Sequence, residues 1–217
     1  MVVKGQFLER PTLIPTEHGL VLEGISHRGS KRPLLLVLPP SPAEGGGMDH
    51  VVAAELVYAA AKLGYPTLRF NYRGVGASQG EVAKTTPKTL MQDGWAAYAL
   101  AVDNADGHAP VIASLGASDA VAWQLSKDHP VSGLMFINPS LVAPNDLVAG
   151  ARGPVTAVLA EHDPTLSRAE WAEALQTHGH MLTVVPGADR GYHRNLLMVG
   201  QAAAGFLARA EQALAML

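Results

Sequence analysis

The chain has 217 residues, 48% hydrophobic and 16% charged, enough to bury one full-sized core, and is expected to form one domain over residues 1–217. A net charge of −3 with scattered Lys and Arg provides no electrostatic footprint for nucleic acid or an anionic membrane, and so points to small-molecule partners. The absence of cysteine excludes disulfides, thiolate catalysis and Cys-ligated zinc. The opening MVVKGQFLERP carries charge where a secretory signal needs an apolar run. No stretch reaches about 18 uninterrupted apolar residues, so a cytoplasmic location is expected.

FLERPTLI and LVLEGISH suggest two antiparallel strands joined at His18-Gly19. RPLLLVLPP, residues 32–40, is continuously apolar, as expected of a central strand covered on both faces of a parallel sheet. MDHVVAAELVYAAAKLG (48–64) spaces Val51, Leu56, Ala60 and Leu63 helically and stops at Gly64. Then come a strand PTLRFNY, a helix over 87–104, a strand at 110–115, a helix at 117–128 and strands at 131–138 and 154–160. A helix at 168–177, a strand MLTVVPG and a helix over 195–214 complete the series. This alternation predicts a mostly parallel α/β sheet with helices on both faces. The alanine-rich helices suit packing on the sheet or on a neighbouring chain equally, so no oligomeric state is assigned.

YRGVGASQG, residues 72–80, offers Gly74-x-Gly76, but the third glycine of a dinucleotide-binding turn comes one residue late and a Thr/Pro loop follows in place of a helix. A tight turn of positive-φ glycines accounts for it better. The pair His178-x-His180 and His162 beside Asp163 lack a third ligand at metal-binding spacing. No cofactor and no metal are expected.

PTLRFNYRGVGASQGE resembles the strand-and-turn signature of the α/β-hydrolase superfamily, in particular its small bacterial, dienelactone-hydrolase-like branch. The likeness runs almost continuously from Gly45 to Glu81, and AVLAEHD and VVPGAD are similar to two later landmarks in the proper order. The resemblance implies an α/β-hydrolase fold. Only about fifteen residues separate Asn138 from Pro154, where larger relatives insert a cap domain, so no cap and an open cleft are expected.

That resemblance implies a Ser, Asp/Glu, His order with the serine on a strained strand-to-helix elbow. PVIASLGASDAV, residues 110–121, supplies the elbow. With Ser114 as nucleophile, Gly116 fits but Ile112 stands where the motif has glycine. With Ser118, Gly116 and Ala120 are both small, but the following helix is shortened. A third register puts Gly116 itself at the elbow and leaves no nucleophile. Local likeness favours Ser114. Either serine could equally be a helix N-cap. Asp163 matches the acid that orients the imidazole, although Asp before Pro164 is also a common turn former. Arg190 occupies the place directly after Gly-Ala-Asp where the branch carries its histidine, and arginine cannot serve as a base near neutral pH. His193, three residues on, is the candidate replacement. The oxyanion donors would be the amides of Leu115 and Ser41, the latter in a loop reading Pro39-Pro40-Ser41-Pro42.

Two functions follow. One is a serine hydrolase of the carboxylesterase or thioesterase kind, acting on a small acyl substrate through Ser114, Asp163 and His193. The other is a catalytically impaired homologue serving as a binding or interaction protein, to which the departures at Ile112, Pro39 to Pro42 and Arg190 point. The discriminating geometry is whether His193 reaches Ser114 and Asp163, or Arg190 takes that space and pairs with Asp163.

Overall fold

The computed structural model describes residues 8–216. Phe7, read above as part of the first strand, lies outside the described residues. Strands β1 (Arg10–Pro15) and β2 (Val21–His27) form the antiparallel opening, turning at Gly19 with φ +79°. The chain continues through β3 (Leu35–Leu38), α1 (Val51–Lys62), β4 (Thr67–Phe70), α2 (Pro87–Asn104), β5 (Val111–Leu115) and α3 (Asp119–Asp128). It ends with β6 (Gly133–Ile137), α4 (Pro144–Ala149), β7 (Val155–Ala160), α5 (Arg168–Thr177), β8 (Met181–Val185) and α6 (Leu196–Leu214). The strands form one sheet in the order β1-β2-β4-β3-β5-β6-β7-β8, parallel from β4 through β8.

Strand alternation splits the core in two. Leu36, Ile112, Leu134 and Ala157 face a layer containing α2, α3 and α5, whereas Val37, Ala113, Met135 and Val158 face α1 and α6. Both faces are thus covered, which is why the central strands read as unbroken apolar runs. The segment between β6 and β7 holds only the six-residue α4, which the sequence reading missed, and no cap. Gly74, Gly76 and Gly80 all have positive φ, and a single 3₁₀ turn at Val82–Lys84 follows them. Among the described residues no helix is long and apolar enough to cross a membrane.

Candidate functional site

Parallel strands aim their carboxyl ends at one edge of the sheet, and ligands of open α/β sheets gather there. A cleft of about 290 Å³ lies at this edge, lined by residues that follow β3 (Pro40, Glu44), β5 (Gly116), β6 (Asn138) and β8 (Arg190, Tyr192), with His50 beside them. Val52, Leu115 and Ile137 supply apolar wall.

The sharp turn between β5 and α3 is made by Gly116, with φ +55°. The motif is therefore Ser114-Leu115-Gly116-Ala117-Ser118, with small residues two places either side of a glycine. That is the third register, and the position held by the nucleophile in a hydrolase elbow has no side chain here. A Cβ added to Gly116 would sit 2.7 Å from Glu44 Oε1 and 2.9 Å from Glu44 Oε2, so the carboxylate of Glu44 fills the space a nucleophile would need.

Ser114 does not occupy the elbow. It lies within β5, level with Leu38 and Phe136 and on the same strand face as Ile112, so it points into the α2/α3 side of the core. It is 1% exposed and its Oγ has no hydrogen-bond partner. Ser118 is equally buried but fully employed: its Oγ donates to the Pro39 carbonyl at 2.6 Å and accepts from Tyr72 Oη at 3.1 Å. This ties the loop after β3 to the start of α3. Burial pushes the Tyr72 hydroxyl well above its ordinary value, so it remains a donor.

The expected donor pair also shifts by register. Leu115 ends β5 and its amide precedes the turn; the amide that follows the turn residue is that of Ala117. Ala117 N–H donates to Glu44 Oε2 at 3.0 Å, and Ser41 N–H donates to the same oxygen at 3.2 Å. The Ser41 amide thus converges with that of Ala117 on Glu44, and the Leu115 amide does not. Two main-chain amides from separate loops therefore meet at one point beside the turn, and the chain's own carboxylate occupies it. Glu44 gets there because Ser41-Pro42-Ala43-Glu44 is a capping box on a single 3₁₀ turn, in which the Glu side chain bends back to the Ser41 amide. That S-x-x-E spacing was the signal in the sequence that could have found Glu44.

Asp163 stands just beyond β7 with its side chain fully buried. Its Oδ1 accepts from Thr165 Oγ1 at 2.6 Å and Thr165 N–H at 2.9 Å, an Asx turn, and its Oδ2 accepts from Arg190 Nη1 at 2.8 Å. Burial alone would raise this carboxyl, but the Thr165 and Arg190 bonds outweigh it and hold the group below the usual carboxylate range. Arg190 Nη2 reaches Glu44 Oε1 at 3.4 Å, so one guanidinium bridges both acids.

His193 is not part of this cluster. Its Nδ1 pairs with Asp189 Oδ2 at 2.9 Å, its side chain is 78% exposed, and the partner of Asp163 is Arg190. The Ser114, Asp163 and His193 expected from the sequence are therefore not brought together. The physical reason is local. Tyr192, at φ +53°, turns its side chain into the core, where its Oη bonds Asn138 Oδ1 and the Val158 carbonyl, both at 2.9 Å. Asn138, itself at φ +43°, donates from Nδ2 to the Arg190 carbonyl and accepts from Ala160 N–H. This network anchors Arg190 at the cleft and leaves His193 on the outer side of the loop.

His50, the N-cap of α1, accepts from Val52 N–H through Nδ1 at 3.3 Å, so neutral His50 carries its proton on Nε2. Burial lowers its pKa, against the raising influence of Glu44, with His193 adding a smaller lowering one.

No family model matches the chain. Two curated proteins of Mycobacterium tuberculosis, one from each of two strains and both described as uncharacterized, are 28% identical over 186 residues. That alignment covers 83% of this chain and 62% of theirs, so the chain spans less than two thirds of the length of these curated relatives. Among solved structures, an alpha-beta serine hydrolase homologue from Coxiella burnetii superimposes with a TM-score of 0.78 at 20% identity, covering 91% of this chain and 97% of that one. XC6422 from Xanthomonas campestris, described as a serine hydrolase without lid, gives 0.76 at 18% identity over 93% and 94%. Est1E from Butyrivibrio proteoclasticus, solved with ferulic acid bound, gives 0.78 at 15% identity over 92% and 98%. The strand order, the open carboxyl edge and these superpositions agree that the chain has the α/β-hydrolase fold in its form without a lid.

Proposed function

We propose that this chain is a small-molecule binding protein on a hydrolase scaffold and works without a nucleophilic serine. The observation that carries the reading is the Glu44 carboxylate, which accepts from both Ser41 N–H and Ala117 N–H beside a glycine turn. Acyl transfer at this edge needs a nucleophile at residue 116, a base in reach of it, and free donors for the oxyanion. Glycine, Arg190 and Glu44 stand at those three places. What remains is a cleft with apolar walls and a few convergent polar groups, the composition of a ligand site.

The competing reading is an esterase or thioesterase acting on small esters or thioesters through Ser114, Asp163 and His193. It draws support from the buried acid Asp163, from the donor pair, and from the serine hydrolases among the structures on which the chain superimposes. It requires Ser114 to leave the core and His193 to leave Asp189.

The test is intact mass after incubation with a reactive fluorophosphonate, run beside a panel of p-nitrophenyl esters and acyl thioesters. No adduct and turnover equal to that of the Glu44→Ala/Arg190→Met variant are expected. A stoichiometric adduct on any serine would sink the binding-protein reading, and its position would name the nucleophile.

A further inference from the structure

Building on the binding-protein reading, we propose that the cleft recognises a small carboxylate with a compact apolar body, and that this ligand enters by exchanging with the side chain of Glu44. The resident group identifies the chemistry. A carboxylate already sits where two main-chain amides and a guanidinium converge, at 3.0, 3.2 and 3.4 Å. The two amide bonds are of ordinary length for N–H···O contacts, while the guanidinium contact is loose for a charged pair. Arg190 is anchored by its other nitrogen, Nη1, which reaches Asp163 at 2.8 Å, so Nη2 stays at the cleft. Glu44 reaches these donors from a tethered position: its backbone belongs to the same short turn as Ser41, and its side chain doubles back. An untethered carboxylate presents the same two acceptor oxygens to the same donors and is free to close on the Arg190 guanidinium.

The exchange also balances in charge. If Glu44 swings out, the Ser41 and Ala117 amides and Arg190 Nη2 lose an anionic acceptor in a partly desolvated cleft, and a neutral ligand would restore only part of it. Another carboxylate restores all of it. Glu44 has somewhere to go: it lies on an exposed turn followed by Gly45, beside which there is open space. The apolar body is read from Val52, Leu115 and Ile137 along the wall, and a cleft of about 290 Å³ sets a compact size. His50 Nε2–H is a further donor at the rim.

Benzoate is the probe, with benzamide as its neutral isostere and phenyl acetate as an ester of similar size, titrated into the whole chain by calorimetry and ¹H–¹⁵N NMR. Benzoate is expected to bind Glu44→Ala about tenfold or more tighter than the unaltered chain, and about tenfold tighter than benzamide binds the same variant. The Ser41 and Ala117 amide signals should shift on binding. Should Glu44→Ala fold poorly, Glu44→Gln keeps the shape with a weaker acceptor, and a severalfold tightening is expected there. Benzamide binding as tightly as benzoate would overturn the carboxylate assignment while leaving a binding protein. Unchanged benzoate affinity in both Glu44 variants, or silent Ser41 and Ala117 amides, would overturn the exchange. Consumption of phenyl acetate with an acyl adduct would instead overturn the binding-protein reading itself.

Discussion

Glu44 Oε1 lies 2.7 Å from where the Cβ of any residue other than glycine at position 116 would stand. Nucleophile and plug are mutually exclusive occupants of one volume. Gly116→Ser should therefore destabilise the chain by about 1–3 kcal/mol, from placing a non-glycine residue at φ +55° and evicting a carboxylate, and should gain no fluorophosphonate labelling. Labelling should appear only when Glu44→Ala and Arg190→His accompany it, freeing the amide pair and supplying a base. Labelling of Gly116→Ser alone would show that Glu44 does not block the turn.

The two serines beside the turn should respond in opposite ways to loss of the hydroxyl. Ser118→Ala leaves a buried Pro39 carbonyl and Tyr72 hydroxyl without a partner, at about 2 kcal/mol or roughly 4–8 °C in Tm for a chain of this size. Ser114→Ala removes a buried oxygen that bonds nothing, so Tm should hold or rise by about 1–3 °C. Calorimetric melting of both variants checks the contrast, and a large loss in Ser114→Ala would mean its Oγ has a partner after all.

Arg190→Met should leave the Asp163 carboxylate buried with only Thr165 to hold it. The expected loss is about 1–3 kcal/mol near pH 7, at the modest end for a buried pair because the guanidinium is 39% exposed. Asp163 is depressed in the folded chain, so its stabilisation is complete above the unfolded carboxyl pKa of about 3.9 and disappears as pH falls through the lower folded value. The gap between Arg190→Met and the unaltered chain should accordingly close in acid. Carbon-13 titration of Asp163 should move upward in the variant, and an unmoved titration would remove Arg190 from the account.

His193→Ala is expected to change stability by less than about 0.5 kcal/mol, since the ring is largely in solvent with only Asp189 for a partner. Benzoate affinity should be unaltered. A marked loss of binding would return His193 to the site.

The sheet and the antiparallel opening were legible because unbroken apolar strands, alternating strands and helical spacing each leave their own pattern in the sequence, whereas the missing cap and the location of the elbow came from the resemblance to the α/β-hydrolase superfamily. Although their pairing with each other was not assigned, the positions of Asp163 after its strand and of Arg190 after Gly-Ala-Asp were legible from the resemblance of their flanking residues to that superfamily. The elbow's register was not, since Ser114, Gly116 and Ser118 are all small and spaced by two, so the pattern slides along itself without penalty. Only a backbone requirement, positive φ at the turn, separates the registers, and glycine meets it most easily. His193 misled for a related reason: sequence places it in the right loop, but Tyr192's burial decides which way the loop faces. Glu44 was overlooked because its role depends on the amide of Ala117, 73 residues away in the chain.

The anchoring of Arg190 through Asn138 and Tyr192 bears on kinetics. Residues from β6, β7 and the loop after β8 are joined by bonds of 2.8 to 3.0 Å, and Ser118 binds the loop after β3 to the opposite side of the cleft. With no cap to open, the proposed exchange requires only the Glu44 side chain to move, which releases its bonds to Ser41, Ala117 and Arg190 without a backbone rearrangement. Ligand association should therefore follow a single exponential whose rate climbs linearly with concentration and shows no plateau. The fold would then act as a rigid receptor with an internal competitor, setting affinity without delaying entry.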